Sequence, residues 1–331
     1  MTFKYNNVYV NNYSTVVGPY EKKGPLGSYF DKYYDDLYCK EKSFEKAEVR
    51  LMKESVEILL RKSHKNIKDI DLIIGGDLLN QICATSYGLK TFNIPHLGIY
   101  SACSTSTEGI LIASNFIDSL KCKNVIVSVS SHNLASERQF RNPVEYGAPR
   151  PSSATFTTTG GASIMLTSSK SKIKVDSATV GRICDMGITD ANNMGAVMAV
   201  AAGETIVDHL KDTKRDINYY DLIITGDLGI LGEKILKDYM YEKYNIALST
   251  NYTDSGLLIY DLKNQKEALA GGSGPACSPL VNYSYYLPLL EKGIIKNILI
   301  VATGALFSPT FLYQKNSILS ISHAVSLECV K

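Results

Sequence analysis

No sign of charge predominates in this sequence: 35 lysines and arginines stand against 33 aspartates and glutamates in 331 residues, a net charge of +2. Binding to a phosphate backbone needs clustered cations, and no Lys/Arg block here exceeds a few residues. There is thus no electrostatic case for a nucleic-acid partner, nor for a membrane held by charge alone. Long apolar runs are also missing. No stretch approaches the roughly 18 uncharged apolar residues of a membrane span. The opening MTFKYNNVYVNNY alternates polar and apolar residues where a signal peptide would have an apolar centre. The chain is expected to be soluble and globular, meeting a membrane only through a partner. Paired cysteines are a third absence. The seven cysteines are an odd number, scattered without CxxC or Cys/His metal spacing. This predicts a reducing compartment, no disulfides and no structural metal.

What is present centres on residues 98–120, GIYSACSTSTEG and the run that follows. An apolar stretch ends in small residues, and then Ile110, Ala113, Ile117 and Leu120 recur at the spacing of a buried helix face. Cys103 falls near the start of that helix. Unpaired N–H groups and the helix dipole there would lower a thiol pKa, so Cys103 reads either as a nucleophile or as a small core thiol.

Along the chain, Gly18, Pro19, Gly24, Pro25 and Gly27 predict an early loop. Tyr13, Tyr20, Tyr29, Tyr33, Tyr34 and Tyr38 crowd this region, as a partly buried amphipathic surface or a partner face. A helix is expected over residues 43–63 and a strand over 71–77. That passage recurs. Residues 67–78 read IKDIDLIIGGDL and residues 217–228 read INYYDLIITGDL, identical at eight of twelve positions. SACST at residue 101 is matched by PACSP at residue 275, and KNVIVSVSSH at residue 123 by KNILIVATGA at residue 296. Two copies of a strand, helix, strand unit with continuous apolar strands predict an α/β fold, duplicated, with mostly parallel sheets buried by helices. The halves divide at residues 1–170 and 171–331. Between the copies, residues 138–155 carry Pro143, Pro149, Pro151 and Gly147, which predict an irregular loop. Its Arg138, Arg141 and Arg150 read either as ion-paired surface or as guanidinium forks for a planar carboxylate.

A duplicated α/β unit with a cysteine opening a buried helix resembles the thiolase superfamily, over the whole chain. The resemblance implies a layered α/β/α/β/α fold, places Cys103 at the position of the acyl-accepting nucleophile, and matches Gly160-Gly161-Ala162 to a glycine-rich strand entry of the ketoacyl synthases. It also implies that the histidine position is held by Gly226 and the asparagine position by Ser273. Condensation needs preorganised donors around a developing enolate, each worth ~10² to 10³ in rate, and glycine and serine do not supply that set. His64, His96 and His209 read as structural or surface residues, whereas His132, ending the strand after the cysteine helix, and His323, within the terminal ILSISHAV strand, could approach a central cleft.

Within the superfamily, GPYEKKGPLGSYFD from residue 18, GGDLLNQ from 75, YSACST from 100 and SSHNLASERQFRNPVEYG from 130 resemble the stage V sporulation protein AD family. That resemblance implies a non-enzymatic protein that binds dipicolinic acid (pyridine-2,6-dicarboxylate), possibly as a calcium chelate, with no other cofactor. It further implies action with membrane-embedded SpoVA partners at the forespore or spore inner membrane, and a possible homodimer. A flat dianion calls for guanidinium forks, hydroxyl donors and aromatic walls. The expected ligand residues are Cys103, His132, Arg138, Gln139, Arg141, Tyr146 and Arg150. Acyl transfer at Cys103 and a purely structural adaptor role are the alternatives.

Overall fold

The computed structural model describes residues 1–140 and 150–330. The expected helix forms as Phe44–Ser63. Ser43 caps its start by accepting the Lys46 N–H at 3.3 Å, and His64 ends it in a left-handed conformation. Its inner face buries Leu51, Met52, Val56 and Leu59.

Most strands assemble into one continuous sheet, apart from a short parallel pair of Phe156–Thr157 with Gly272–Ser273, and its ten-strand path is a five-strand order followed by its reverse. It runs Tyr252–Asp254, Leu222–Thr225, Asn297–Leu306, Leu319–Cys329, Ile173–Thr179, then Tyr9–Val17, Gly160–Thr167, Asn124–Ser131, Leu72–Gly76, His96–Gly98. In each five, four strands run in one direction. The exception is Leu319–Cys329 in one half and Gly160–Thr167 in the other, each antiparallel to both neighbours. The halves meet where Tyr9 pairs with Lys174 and Val10 with Ile173. The repeat seen in the sequence is therefore a repeat of topology.

Helices make the layers. The cysteine helix, Thr105–Asp118, contributes Ile110, Leu111, Ala113 and Ile117 to a central core. The same core takes Leu280, Val281, Tyr283, Leu287 and Leu290 from its second-half counterpart, together with strand residues of both halves. Helices Met194–Thr213 and Gly229–Tyr244 cover the outer face of the second half, and Phe44–Ser63 that of the first. Burial on both faces explains why the strands read as unbroken apolar runs. The duplicated α/β fold is borne out.

One local reading changes. A helix, Asn133–Phe140, reaches into the expected loop, because the prolines that would stop it begin only at Pro143. Arg141 and Tyr146 fall within residues 141–149, outside the described residues. Among the N-terminal tyrosines, Tyr13 and Tyr34 are buried while Tyr29, Tyr33 and Tyr38 are about half exposed, which fits an amphipathic surface.

Candidate functional site

Cys103 lies in a tight turn, Ala102–Ser104, that feeds directly into Thr105–Asp118. Ala102 adopts a left-handed φ of 46°, unusual for a residue with a side chain. The turn also presses on the second half. A Cβ at Gly304 would stand 2.3 Å from the Ser101 carbonyl oxygen, so the Asn297–Leu306 strand needs glycine there for the cysteine turn to dock.

The thiol meets three groups of the second half: the Asp227 carboxyl, the Ser273 side chain and the Gly274 N–H. Asp227 accepts from Gly274 N–H at 3.2 Å and from the Thr303 hydroxyl at 2.9 Å. Gly274 has a φ of +99°, and its glycine conformation turns that N–H inward. Burial, reinforced by the Asp227 charge and its hydrogen bond, pushes the Cys103 thiol well above its ordinary value. Of the two readings this favours the small core thiol over a helix-activated thiolate, because desolvation and a facing carboxylate outweigh the two donors. Asp227 is fully buried and is itself pushed up to about 7, by burial first and by Asp254 as well, against the thiol's hydrogen bond.

The sequence reading stopped at Gly226, whose carbonyl oxygen faces the Cys277 sulfur at 3.6 Å. The next residue, Asp227, is the one that occupies the place beside Cys103. The repeat carried the signal, since it aligns Asp227 with Asp77. Asp77 is consumed locally: it accepts Leu79 N–H at 2.7 Å and both the N–H and hydroxyl of Thr85 at 2.7 and 2.6 Å. In the second half Asp254 takes the Leu228 and Gly229 N–H groups at 3.0 and 3.1 Å. That substitution frees Asp227 to turn to the thiol.

A pocket of about 100 Å³ opens onto Cys103 and Ser273. Leu78, Tyr100, Phe140, Met194, Met198 and Phe307 make its apolar walls, and Ser136, Glu137, Thr155, Thr157 and Asn192 its polar ones. The Ser136 hydroxyl is buried with no hydrogen-bond partner among the described residues. Beyond Tyr100 and Phe140 the pocket adjoins a wider surface groove that includes Gln139.

Cys103 lines the pocket as expected; the other expected residues divide. Arg150 stands behind its wall, with Nη2 3.3 Å from Glu137, the guanidinium 5.8 Å from the Phe156 ring centre, and a buried Nη1 without a hydrogen-bond partner among the described residues. Gln139 braces the adjoining groove, accepting Asn80 N–H at 2.9 Å and donating to the Leu78 carbonyl at 2.7 Å. His132 is a correction: it faces away from the pocket. Its Nε2 donates to the Leu37 carbonyl at 2.7 Å, Nδ1 takes the Ala135 N–H at 3.4 Å, and the ring stacks on Phe44. Burial lowers its pKa to about 4, so it is a neutral core residue. Arg138 is a second correction, because it is more than half exposed, pairs with Glu45 at 2.9 Å and lies over Phe44. His323 is likewise buried at a strand, accepting the Gly181 N–H at 3.2 Å. Among the described residues no three His, Cys, Asp or Glu side chains gather where a metal could bind.

The model of the family described as "Stage V sporulation protein AD (SpoVAD)" matches residues 1–328. The chain belongs to the SpoVAD family. It is 45% identical over 321 residues to stage V sporulation protein AD of Bacillus subtilis (strain 168), covering 97% of this chain and 94% of that protein. Among solved structures it resembles 3-oxoacyl-[acyl-carrier-protein] synthase III from Aquifex aeolicus VF5, with a TM-score of 0.58 at 15% identity over 97% and 99% of the two chains. It also resembles cerulenin-bound OleA from Xanthomonas campestris, with a TM-score of 0.63 at 12% identity over 98% and 99%. These two likenesses establish the thiolase-like fold of this SpoVAD-family chain. Among the described residues no helix is long and apolar enough to cross a membrane.

Proposed function

We propose that this SpoVAD-family protein is a non-enzymatic binder of dipicolinic acid, free or as its calcium chelate, in the pocket inherited from a condensing enzyme. The observation that carries the reading is Arg150, a partly exposed guanidinium paired with the pocket residue Glu137, whose buried Nη1 has no hydrogen-bond partner among the described residues, behind a pocket walled by Phe140, Phe307 and Tyr100. A guanidinium fork suits a carboxylate and aromatic walls suit a planar ring. The pocket floor supports it too, since a thiol held neutral tolerates a nearby anion and is a poor nucleophile. With calcium, the ligand would chelate the ion through its ring nitrogen and two carboxylates, leaving the other positions to water or protein oxygens. In the cell the bound acid would be passed to or from SpoVA membrane partners at the spore inner membrane, which would also hold this chain there.

Calorimetry of the whole chain with dipicolinate, with and without calcium, tests the reading. Binding that weakens at least tenfold in Arg150→Ala is the expected result, the loss of one charge-assisted contact being worth about 1.5–3 kcal/mol. No heat of binding under either condition would sink it. Acyl transfer at Cys103 is a second reading, favoured by the convergence of Ser273 and Gly274 N–H on the sulfur. An acyl-CoA panel followed by intact-mass analysis would reveal it as an adduct absent from Cys103→Ala.

A further inference from the structure

Asp227 sits behind the pocket floor, and among the described residues no cation faces it. Cys103 approaches it from the turn before the first-half helix, Thr303 from the Asn297–Leu306 strand, and Gly274 N–H from the segment before Cys277. The Cys277 thiol and the Asp254 carboxyl act on it from the second half. Asp254 is already engaged by the Thr225 hydroxyl at 2.7 Å and by two N–H groups. On the pocket side the charged groups are Glu137 and the Arg150 paired with it.

We propose, resting on the reading that this pocket holds a small dicarboxylate, that the ligand is taken up together with one proton, which Asp227 keeps behind Cys103. A ligand carboxylate seated against Cys103 and Ser273 adds a second negative charge within the same water-poor space. A like charge so placed raises the pKa of Asp227 further and favours its protonated form. The balance is simple: the dianion, the ionised Asp227 and one solvent proton combine to give bound dianion and protonated Asp227, with no other bond made or broken. Asp227 is a positioning residue that acts through the thiol rather than a group touching the ligand. Burial already places its titration at about 7, so the proton is present before binding at pH 6 and must be acquired on binding at pH 8.5. The ligand's carboxylates, with ordinary values near 4, stay ionised throughout and contribute no slope.

Calorimetry with dipicolinate at pH 6.5, 7.5 and 8.5, in two buffers of different ionisation enthalpy, reads both affinity and proton uptake. Affinity should weaken at least tenfold from pH 6.5 to 8.5, with close to one proton taken up per ligand at the upper value. Asp227→Asn, equal in shape and without a titrating proton, should flatten the profile and abolish the uptake. If that variant fails to fold, the proton count in the unaltered protein decides alone. Uptake near zero at pH 8.5, or a slope that survives in Asp227→Asn, overturns this inference while leaving dipicolinate binding in place. Absence of binding at every pH overturns both.

Discussion

Replacing Glu21 by glutamine should stabilise the protein at pH 8 and leave it nearly unchanged at pH 5. Glu21, on the short helix Pro19–Lys23, is fully buried. One oxygen accepts Thr159 N–H at 2.9 Å and the Tyr260 hydroxyl, tying the N-terminal segment to the second half, while the other has no hydrogen-bond partner among the described residues. Burial raises its pKa from 4.5 to about 7, against the pull of those hydrogen bonds. Between those two values the folded protein holds a proton that the unfolded chain has released, so folding stability falls as pH rises through the interval and stays lowered above it. At about 1.4 kcal/mol per pH unit, the loss is about 3 kcal/mol. Glutamine keeps an oxygen for Thr159 and Tyr260 and has no proton to lose. Urea denaturation of both proteins from pH 5 to 8.5 should therefore show curves that coincide at the acid end and separate by about 3 kcal/mol at the alkaline end. Asp227 has the same sign of dependence, but it is common to both proteins and cancels in the difference. Curves that run parallel would refute the assignment of a buried, proton-holding Glu21.

Cys103 should resist iodoacetamide at pH 7.5, because burial and the facing Asp227 keep it a neutral thiol, while the partly exposed Cys122 and Cys184 react faster. Asp227→Asn should speed labelling of Cys103, and peptide mass spectrometry that found Cys103 the first thiol modified would contradict the raised value. His132→Ala removes the 2.7 Å partner of the Leu37 carbonyl and should cost about 1–3 kcal/mol in urea midpoint analysis. The folded fraction of that variant should retain unaltered dipicolinate affinity, and a specific loss of affinity would return His132 to the site.

Some of the site was legible before any coordinates and some was not, and the division follows the range of the interactions. Helix Phe44–Ser63 announced itself through Ser43 and its apolar spacing, both of which act within a few residues. The prolines from Pro143 onward ended a helix, as proline must, but could not say that the helix before them would extend to Phe140. Cys103 was marked by its place at the head of a buried helix face. Its acidity stayed open between thiolate and core thiol, because the dipole is local and the Asp227 carboxyl is 124 positions away in the chain. His132 ended the right strand yet turned toward Leu37 and Phe44, contacts across 95 and 88 positions that no local pattern records.

By itself the sequence determined that the chain is a duplicated α/β protein, because hydrophobic periodicity and an internal repeat are properties of neighbouring residues and of the chain compared with itself. It also located the thiol. Only the tertiary structure decided what surrounds that thiol. The two halves bring Ser273, Gly274 and Asp227 against Cys103, and the same repeated aspartate binds local N–H groups as Asp77 but is released toward the sulfur as Asp227 because Asp254 has taken its partners. The charge state of a buried group depends on which groups close over it, and that is settled when the two halves of the sheet and the central helices pack.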